Sequence, residues 1–564
     1  MNFFDIQSYI VIKLLLLIFI ALASYLVYKK IKPVYFLALV GVISAAAYAV
    51  LVNNLELPLW GLQGDEITIA AMYNTFAHTS LMSDFSYHSL APFYPPLWFW
   101  LFAVIGRVLN YNGVLIAKLA SGFFFLLFPI GLYYFQKYLS QAEPLENKSA
   151  SNMLAVLAPL LILTILDKDL LIGKPYEVVT AALSIFWYIQ LYLTISRQQL
   201  NNKKILLYGL IAGLIAMTYY LWLVFAALAL LLLGLIEVKE ARLRYFWSLI
   251  KTMLVALLVS APFILPLAIN YFKFGIESWQ TSFFTPNGLN LWLPMFQLTS
   301  LNSLILLFGL VVLIYYRQQP LIKQLAYLFL SAFVWWGLMM LVLLISKQPF
   351  QEFRGFYILA PSILAIAAAY GLTRLWNYFK VNDHKNLAFT LVIIGIVYFA
   401  SQSIFGFFVD DPIVRGRRVE SREVNQAILN LVNYLKTEAN TNSKLTLQTT
   451  PQILAFTPIN NLIYFNQHNN HPAAIFSERY KYLESLANAS TAADLYERIK
   501  NCPYGKLERL IFYSDKDNYY LYFHLNKIID GLEVREITIN KDLFSAEYFK
   551  KVYDNNGYVV INVL

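Results

Sequence analysis

Over its first 409 positions the chain alternates long apolar runs with short charged stretches. The runs fall at about Tyr9–Tyr28, Val34–Val52, Val114–Tyr134, Met153–Leu166 and Val178–Thr194. Ile205–Leu235 reads as two short runs hinged at Thr218-Tyr219-Tyr220, and others follow near Phe246–Ile269, Leu304–Tyr315, Leu325–Ile345, Phe356–Leu372 and Ala388–Phe405. Most are long enough to cross a hydrocarbon layer of about 30 Å, so the pattern predicts a polytopic α-helical membrane protein with about 12 transmembrane helices. One long polar excursion, 54–112, interrupts the series. Within it Ile69, Met72 and Phe76 recur at helical spacing and predict an interfacial helix over Ile67–Thr79. Leu97–Val108 is short, carries Arg107 and follows Pro96, which suits the first turn of a helix; it is predicted to lie on the membrane surface, with Trp98 and Trp100 at headgroup level.

From Asp410 onward the apolar runs give way to mixed helical and strand patterns. Ser421–Ala439 reads as a helix; Lys444–Thr449, Leu462–Phe465, Leu510–Tyr513 and Val559–Val563 read as strands. The expected organisation is a membrane part, 1–409, followed by a small soluble α/β domain, 410–564.

Composition agrees with that division. The chain has 564 residues, of which 59% are hydrophobic and only 13% charged. The net charge is +10, yet the region from Asp410 to the end holds 18 basic and 18 acidic residues, so the whole excess lies in the membrane part. That argues against nucleic acid as a partner and for positive-inside anchoring. The first apolar run lacks a basic leading region and is followed by Lys29, Lys30 and Lys32, so it reads as a span with its N-terminal end outside rather than as a secretory signal. With that start, the predicted inner loops hold 16 basic residues, among them Lys203, Lys204, Lys239, Arg317 and Lys380. The outer segments and span mouths hold seven: Arg107, Lys118, Lys168, Lys174, Lys273, Lys347 and Arg354. The bias places the 54–112 loop and the C-terminal domain on the outer face of the membrane. A single cysteine, Cys502, allows neither an intrachain disulfide nor a cysteine metal site.

Candidate chemistry gathers on that outer face. Asp65 and Glu66 open the predicted Ile67 helix. An interfacial carboxylate there can take a proton from an acceptor hydroxyl; equally, Asp65 can cap the helix, with Glu66 favoured by the helix dipole. Asp167-Lys168-Asp169 and Lys174-Pro175-Tyr176-Glu177 form a second outer cluster, able to bind a cation, a sugar hydroxyl or a phosphate, or to serve as an ordinary solvated loop. Lys118 lies inside the mouth of a span, and Arg354 stands at the mouth of another. The six histidines show no metal-ligand spacing, and there is no glycine-rich phosphate loop.

Three stretches make the outer loop specific: Gly64-Asp65-Glu66, Asp84-Phe85-Ser86-Tyr87, and Leu90-Ala91-Pro92-Phe93-Tyr94-Pro95-Pro96-Leu97-Trp98-Phe99-Trp100. They resemble the mycobacterial galactan arabinofuranosyltransferase family. The resemblance returns in His471-Pro472-Ala473-Ala474-Ile475-Phe476-Ser477-Glu478-Arg479, and in Asp542-Leu543-Phe544, Phe549 and Gly557-Tyr558-Val559-Val560. It implies a GT-C fold; the outer-face α/β domain, 410–564, is expected to guide acceptor glycan. The resemblance also implies transfer of a sugar, in that family arabinofuranose, from a polyprenyl monophosphate to a cell-envelope glycan. By position the family's catalytic acidic residue falls on Asp65, with Glu66 where the family favours Gln. The Pro95-Pro96 segment also resembles aminoarabinose transferases, in which a basic residue beside the prolines grips the lipid phosphate. Tyr94 stands there in this chain, which leaves Lys118, Lys174 and Arg354 as candidates for the phosphate.

The expected function is therefore that of an inverting membrane glycosyltransferase of the pentosyltransferase type. Asp84, Tyr87, His88, Tyr94, Tyr176 and Glu177 are the candidates for contact with the sugars. No cofactor is required. If a divalent cation such as Mg²⁺ or Ca²⁺ binds, Asp65, Glu66, Asp167 and Asp169 are its expected ligands. Two other readings fit less well. One is a different GT-C activity on protein or lipid; the other is a transporter of lipid-linked sugars, which would show paired halves and charges deep in the spans.

Overall fold

The computed structural model describes residues 3–62, 64–142, 148–238, 242–277, 293–346, 351–379, 381–403, 406, 408–438, 441–527 and 531–564. Lys239, Lys347 and Lys380 of the topology count, and Phe405 and Ala439 at predicted element ends, lie outside them. The membrane part runs α1 (Phe3–Tyr28), α2 (Pro33–Val52), α3 (Asp65–His78), α4 (Leu97–Leu109), α5 (Gly113–Ala142), α6 (Lys148–Ile165), α7 (Lys168–Gly173), α8 (Pro175–Ser196), α9 (Asn202–Tyr219), α10 (Leu221–Ile236) and α11 (Arg242–Phe274). It continues through α12 (Leu301–Tyr315), α13 (Pro320–Ser346), α14 (Ala360–Tyr378, entered through a π-helical turn at Gly355–Leu359) and α15 (Lys385–Ser403). Every predicted apolar run is helical. Among the described residues eight helices are long and apolar enough to cross a membrane, and α4, α10, α12 and Ala150–Ile165 of α6 are shorter apolar helices. The predicted hinge is real: α9 stops at Tyr219 and α10 starts at Leu221.

The two helices of the outer loop differ. α4 buries Phe99, Phe102, Ala103 and Gly106 on one side and leaves Leu101, Val104 and Val108 exposed, as a helix at an apolar surface should. Its Arg107 donates from Nε to Ala77 O at 2.7 Å and from Nη2 to Phe76 O at 2.9 Å, neutralising the negative end of α3. α3, by contrast, is not interfacial. Every residue from Ile67 to Ala77 is buried. It lies between α4, α5 and a 3₁₀ turn at Pro451–Ala455 of the C-terminal domain. Its polar residues face protein: Asn74 Nδ2 donates to Leu454 O at 2.9 Å, and Thr68 Oγ1 meets the Tyr464 hydroxyl at 3.3 Å. Gly113 permits the contact with α5, because a Cβ there would sit 1.9 Å from Ala70 O.

The C-terminal domain holds α16 (Pro412–Glu420), α17 (Gln426–Thr437), α18 (Phe476–Ala487), α19 (Ala492–Lys500) and one seven-stranded sheet. Its strands are β1 (Leu445–Leu447), β2 (Asn460–Asn461), β3 (Leu507–Ser514), β4 (Asn518–Lys527), β5 (Gly531–Asn540), β6 (Phe549–Asn555) and β7 (Tyr558–Val563). The order is β2-β1-β3-β4-β5, with β7 antiparallel to β3 and β6 outside β7. Two expectations need correction. The predicted Ser421–Ala439 helix breaks at 421–425, where Ser421 Oγ donates to Leu59 O and Val424 N to Glu56 Oε2 of the outer loop, and Asn425 then caps α17. Leu462–Phe465 is not a strand; pairing with β1 stops at Asn461, where the chain turns onto the loop and Asn461 N donates to Ser86 O at 2.8 Å.

Loop and domain are thus held together through buried polar groups, and removing one should be costly. Asn74→Ala, which leaves Leu454 O without its donor, is expected to destabilise the folded protein by about 1–3 kcal/mol, read as a lower thermal midpoint in detergent. An unchanged midpoint would show that this contact does not hold the domain down.

Candidate active site

Gly64, at φ +54°, reverses the chain immediately before α3 and occupies the N-cap position. Asp65 is therefore the first helical residue and not the cap. Its carboxylate turns instead to Lys174, with Nζ 2.7 Å from Oδ2. Lys174 owes its place to a break. α7 is capped by Asp167, which accepts from Asp169 N, and ends at Gly173; α8 restarts at Pro175. Lys174 is the residue shared by the two ends, closing α7 through its N–H to Leu170 O and opening α8 through its carbonyl, and its side chain reaches α3.

A second ion pair lies deeper. Glu177, in the first turn of α8, is 1% exposed and meets Arg354 Nη1 at 3.3 Å. Arg354 precedes the π-helical turn that opens α14. Its Nε donates to Gln351 Oε1, and its guanidinium lies 5.6 Å from the centre of the Tyr357 ring. Lys174 Nζ lies 6.0 Å from the same ring. Tyr94 and Tyr176 share a 3.0 Å hydroxyl–hydroxyl hydrogen bond, and Tyr219, at the break between α9 and α10, packs its ring against both.

The charges settle the protonation states. Lys174 holds the Asp65 carboxyl below the usual carboxylate range against the opposing effect of burial, with smaller help from His468 and Arg354. Burial works against the Lys174 charge, but Asp65 and Glu177 more than offset it and raise its pKa. His468, brought in by the C-terminal domain, is lowered to about 4 by burial and is neutral at pH 7. The Asp65 side chain is 47% exposed and that of Lys174 19%, so solvent and ligand can reach the pair.

Glu66 points elsewhere. Burial raises its pKa to about 7. With Lys118, Tyr48, Tyr73 and Ser121 it lines a separate cavity of about 30 Å³ behind α3. Lys118 Nζ donates there to Leu55 O.

The structure therefore gathers Asp65, Lys174, Arg354, Glu177, Tyr94 and Tyr176 into one basin, and sets Glu66 and Lys118 in the cavity behind it. Asp84, Tyr87 and His88 lie in the seam between loop and C-terminal domain. Asp84, whose pKa burial raises to about 7, accepts from Ser86 N and Tyr87 N at 2.9 and 3.1 Å. The Tyr87 hydroxyl accepts from Tyr464 N, and His88 Nδ1 meets Asn442 O. Asp167 is spent as a helix cap. Among the described residues no three His, Cys, Asp or Glu side chains converge as a metal-ligand group, so Asp65, Glu66, Asp167 and Asp169 do not form one cation site.

Tyr219, Tyr357, Gln351 and His468 escaped sequence reasoning. The chain has 40 tyrosines, and nothing local marks Tyr357 among them. The break at Tyr220 was a usable signal for Tyr219.

No protein-family model matches the chain, and no curated protein matches it in sequence. Solved structures do resemble it. ArnT from Cupriavidus metallidurans in the apo state superposes with a TM-score of 0.51 at 13% identity, covering 92% of this chain and 97% of that one. The same enzyme bound to undecaprenyl phosphate gives 0.51 at 12% identity, covering 92% and 96%. Arabinofuranosyltransferase AftD from Mycobacteria gives 0.49 at 12% identity, covering 93% of this chain and 40% of that one. The chain has a GT-C fold: a multi-pass helical membrane part with a small C-terminal sheet domain.

The deeper ion pair makes a stability prediction. Glu177→Ala leaves Arg354 buried without its carboxylate and is expected to cost about 3–5 kcal/mol, read by thermal unfolding in detergent. A loss below about 1 kcal/mol would mean that the pair behaves as a surface contact.

Proposed function

We propose that this protein is a membrane glycosyltransferase that moves a sugar from a polyprenyl-phosphate donor to an acceptor hydroxyl at the outer membrane face. The observation that carries the proposal is the convergence of one accessible carboxylate, Asp65, with two cations, Lys174 and Arg354, in a GT-C fold. ArnT, which shares that fold, binds undecaprenyl phosphate. The basin forms at the starts of α8 and of the π-helical turn, whereas the basic Arg197, Lys203, Lys204 and Arg374 lie at or beyond the far ends of α8 and α14. Positive-inside bias supports an outer-face position for the basin.

In the proposed reaction the acceptor O–H gives its proton to an Asp65 Oδ. The acceptor oxygen attacks the anomeric carbon, the carbon–oxygen bond to phosphate breaks, and its electron pair leaves with the lipid phosphate. Direct displacement inverts the anomeric centre. Lys174 and Arg354 oppose the charge that develops on the departing phosphate. Lys174 has a double use. Without donor it is the counterion of Asp65; when phosphate draws it away, Asp65 loses its stabilising cation and becomes the stronger base. Tyr94 and Tyr176 wall the position of the sugar. The likeness of the outer loop to galactan arabinofuranosyltransferases supports a pentofuranosyl donor and a cell-envelope glycan acceptor, with the C-terminal domain, 410–564, on the acceptor side.

Asp65→Asn is expected to lower transfer from a polyprenyl-phosphate sugar by at least about 10²-fold while leaving expression and the thermal midpoint intact; full activity would remove Asp65 from the mechanism. The pH dependence should follow the Asp65–Lys174 pair. A carboxyl held below its usual range is ionised above its pKa and is lost as a base only when pH falls through that lowered value. Removing the cation in Lys174→Met lets burial raise the Asp65 pKa, so the acid limb of kcat/KM should move to higher pH. An acid limb in the same place in both proteins would contradict the pairing. For sidedness, a cysteine at exposed Asp517 in a Cys502→Ser background should react with a membrane-impermeant maleimide in intact cells; reaction only after lysis would place the basin on the wrong side.

A further inference from the structure

The C-terminal sheet has an aromatic face for which the transfer site gives no use. Tyr513 and Tyr520 are cross-strand partners on β3 and β4, Tyr558 pairs with Tyr513 on β7, and Tyr522 lies two residues beyond Tyr520. Strand alternation puts all four on one face. Their rings form a continuous patch: Tyr520 and Tyr522 stack at 6.4 Å, Tyr513 meets Tyr522 edge-on at 6.4 Å, and Tyr513 meets Tyr558 at 5.5 Å. Tyr513 is 45% and Tyr522 37% exposed, although the opposite face of the same strands, with Phe512, Tyr519 and Phe523, is buried. The rings are held in place. The Tyr520 hydroxyl donates to Asp515 Oδ2, and Glu536 lies opposite Tyr522 on β5.

The patch is connected to the basin. From Tyr520 to His524, β4 rises about 13 Å. At His524 it meets the loop that carries His468: His524 N donates to Phe465 O at 2.8 Å, Gln467 N donates to His524 O at 3.0 Å, and Asn526 N donates to Gln467 Oε1 at 2.9 Å. The loop continues through His468 to Asn469, whose Nδ2 donates to Thr68 Oγ1 at 3.2 Å, in the first turn of α3 beside Asp65. One strand thus leads from four tyrosines to the side of the proposed base.

We propose that Tyr513, Tyr520, Tyr522 and Tyr558 form a binding platform for a neutral carbohydrate chain, the distal part of the acceptor, whose growing end enters the basin past His468. This rests on the transferase reading. Rigid, half-exposed tyrosines offer broad π faces for the C–H faces of sugar rings at small entropic cost, with hydroxyls and carboxylates at the rim for sugar hydroxyls. Asp515 and Glu536 beside the rings are accompanied by Lys541, whose Nζ donates to Asp515 O, so the rim carries both signs, as suits a neutral chain.

The test is a titration of the full chain in detergent, carrying Asp65→Asn so that no turnover occurs, with galactan, arabinan and mannan hexasaccharides and with the matching monosaccharides. At least one hexasaccharide should bind, at least about tenfold more tightly than its monosaccharide. Combining Tyr513→Ala with Tyr522→Ala should weaken that binding by about tenfold, and Tyr513→Phe with Tyr522→Phe should retain it. Tyr522→Ala alone, with an unchanged thermal midpoint, serves if the double variant unfolds. Three results would overturn the platform: no binding by any hexasaccharide, equal affinity in the alanine variants, or loss in those variants of binding to phosphatidylglycerol vesicles instead. Because binding is read without transfer, these results are distinct from failure of the transferase proposal, which appears only as activity retained by Asp65→Asn.

Discussion

One ion pair, Asp65 with Lys174, sets the terms for the rest of the outer face. Neither partner can be placed by its own element alone. Asp65 needs the reversal at Gly64 to stand at the head of α3, and Lys174 needs the break between α7 and α8. α3 in turn is held by Gly113 against α5, by Arg107 at its far end, and by the C-terminal domain above it. A lysine 109 positions away reaches the carboxylate only when all of these constraints are met at once.

The two cations of the basin play different parts because their surroundings differ. Arg354 is locked. Its carboxylate partner is buried, Gln351 holds its Nε, and a ring flanks the guanidinium. Breaking such a pair leaves an uncompensated charge in a dry place. Lys174 is exchangeable. Its pair with Asp65 is partly open to solvent, where an ion pair is worth little net and a phosphate can compete for the ammonium. A fixed cation to define the phosphate position and a movable one to couple phosphate binding to base strength suit displacement at an anomeric carbon.

Much of this was legible in the sequence, and the failures have physical causes. Apolar run length located each of the eight helices that, among the described residues, are long and apolar enough to cross a membrane, because the bilayer imposes that length. Lys174 and Arg354 stood out because basic residues are scarce on the predicted outer face, and Asp65 because it opens the first helix of the outer loop. α3 was misread because the spacing of Ile69, Met72 and Phe76 marks one apolar face and says nothing of what covers the rest, where Thr68, Asn74 and Thr75 meet Tyr464, Leu454 and Phe85. Helical periodicity cannot tell water from protein as the satisfier of a polar group. The same blindness promoted Asp84, which holds a turn of the loop itself, and His88, which joins loop to domain, and hid His468, which enters the basin only through tertiary docking. Lys118 sits at a span mouth like Lys174 but behind α3, a difference that only packing decides.

The most direct measurement is the structure of the protein with a polyprenyl phosphate bound. The account predicts that Lys174 Nζ leaves Asp65 and lies within ion-pair distance of a phosphate oxygen, with Arg354 still on Glu177 and the Asp65 carboxylate open to the basin. A phosphate bound elsewhere, with the Asp65–Lys174 pair intact, would contradict it.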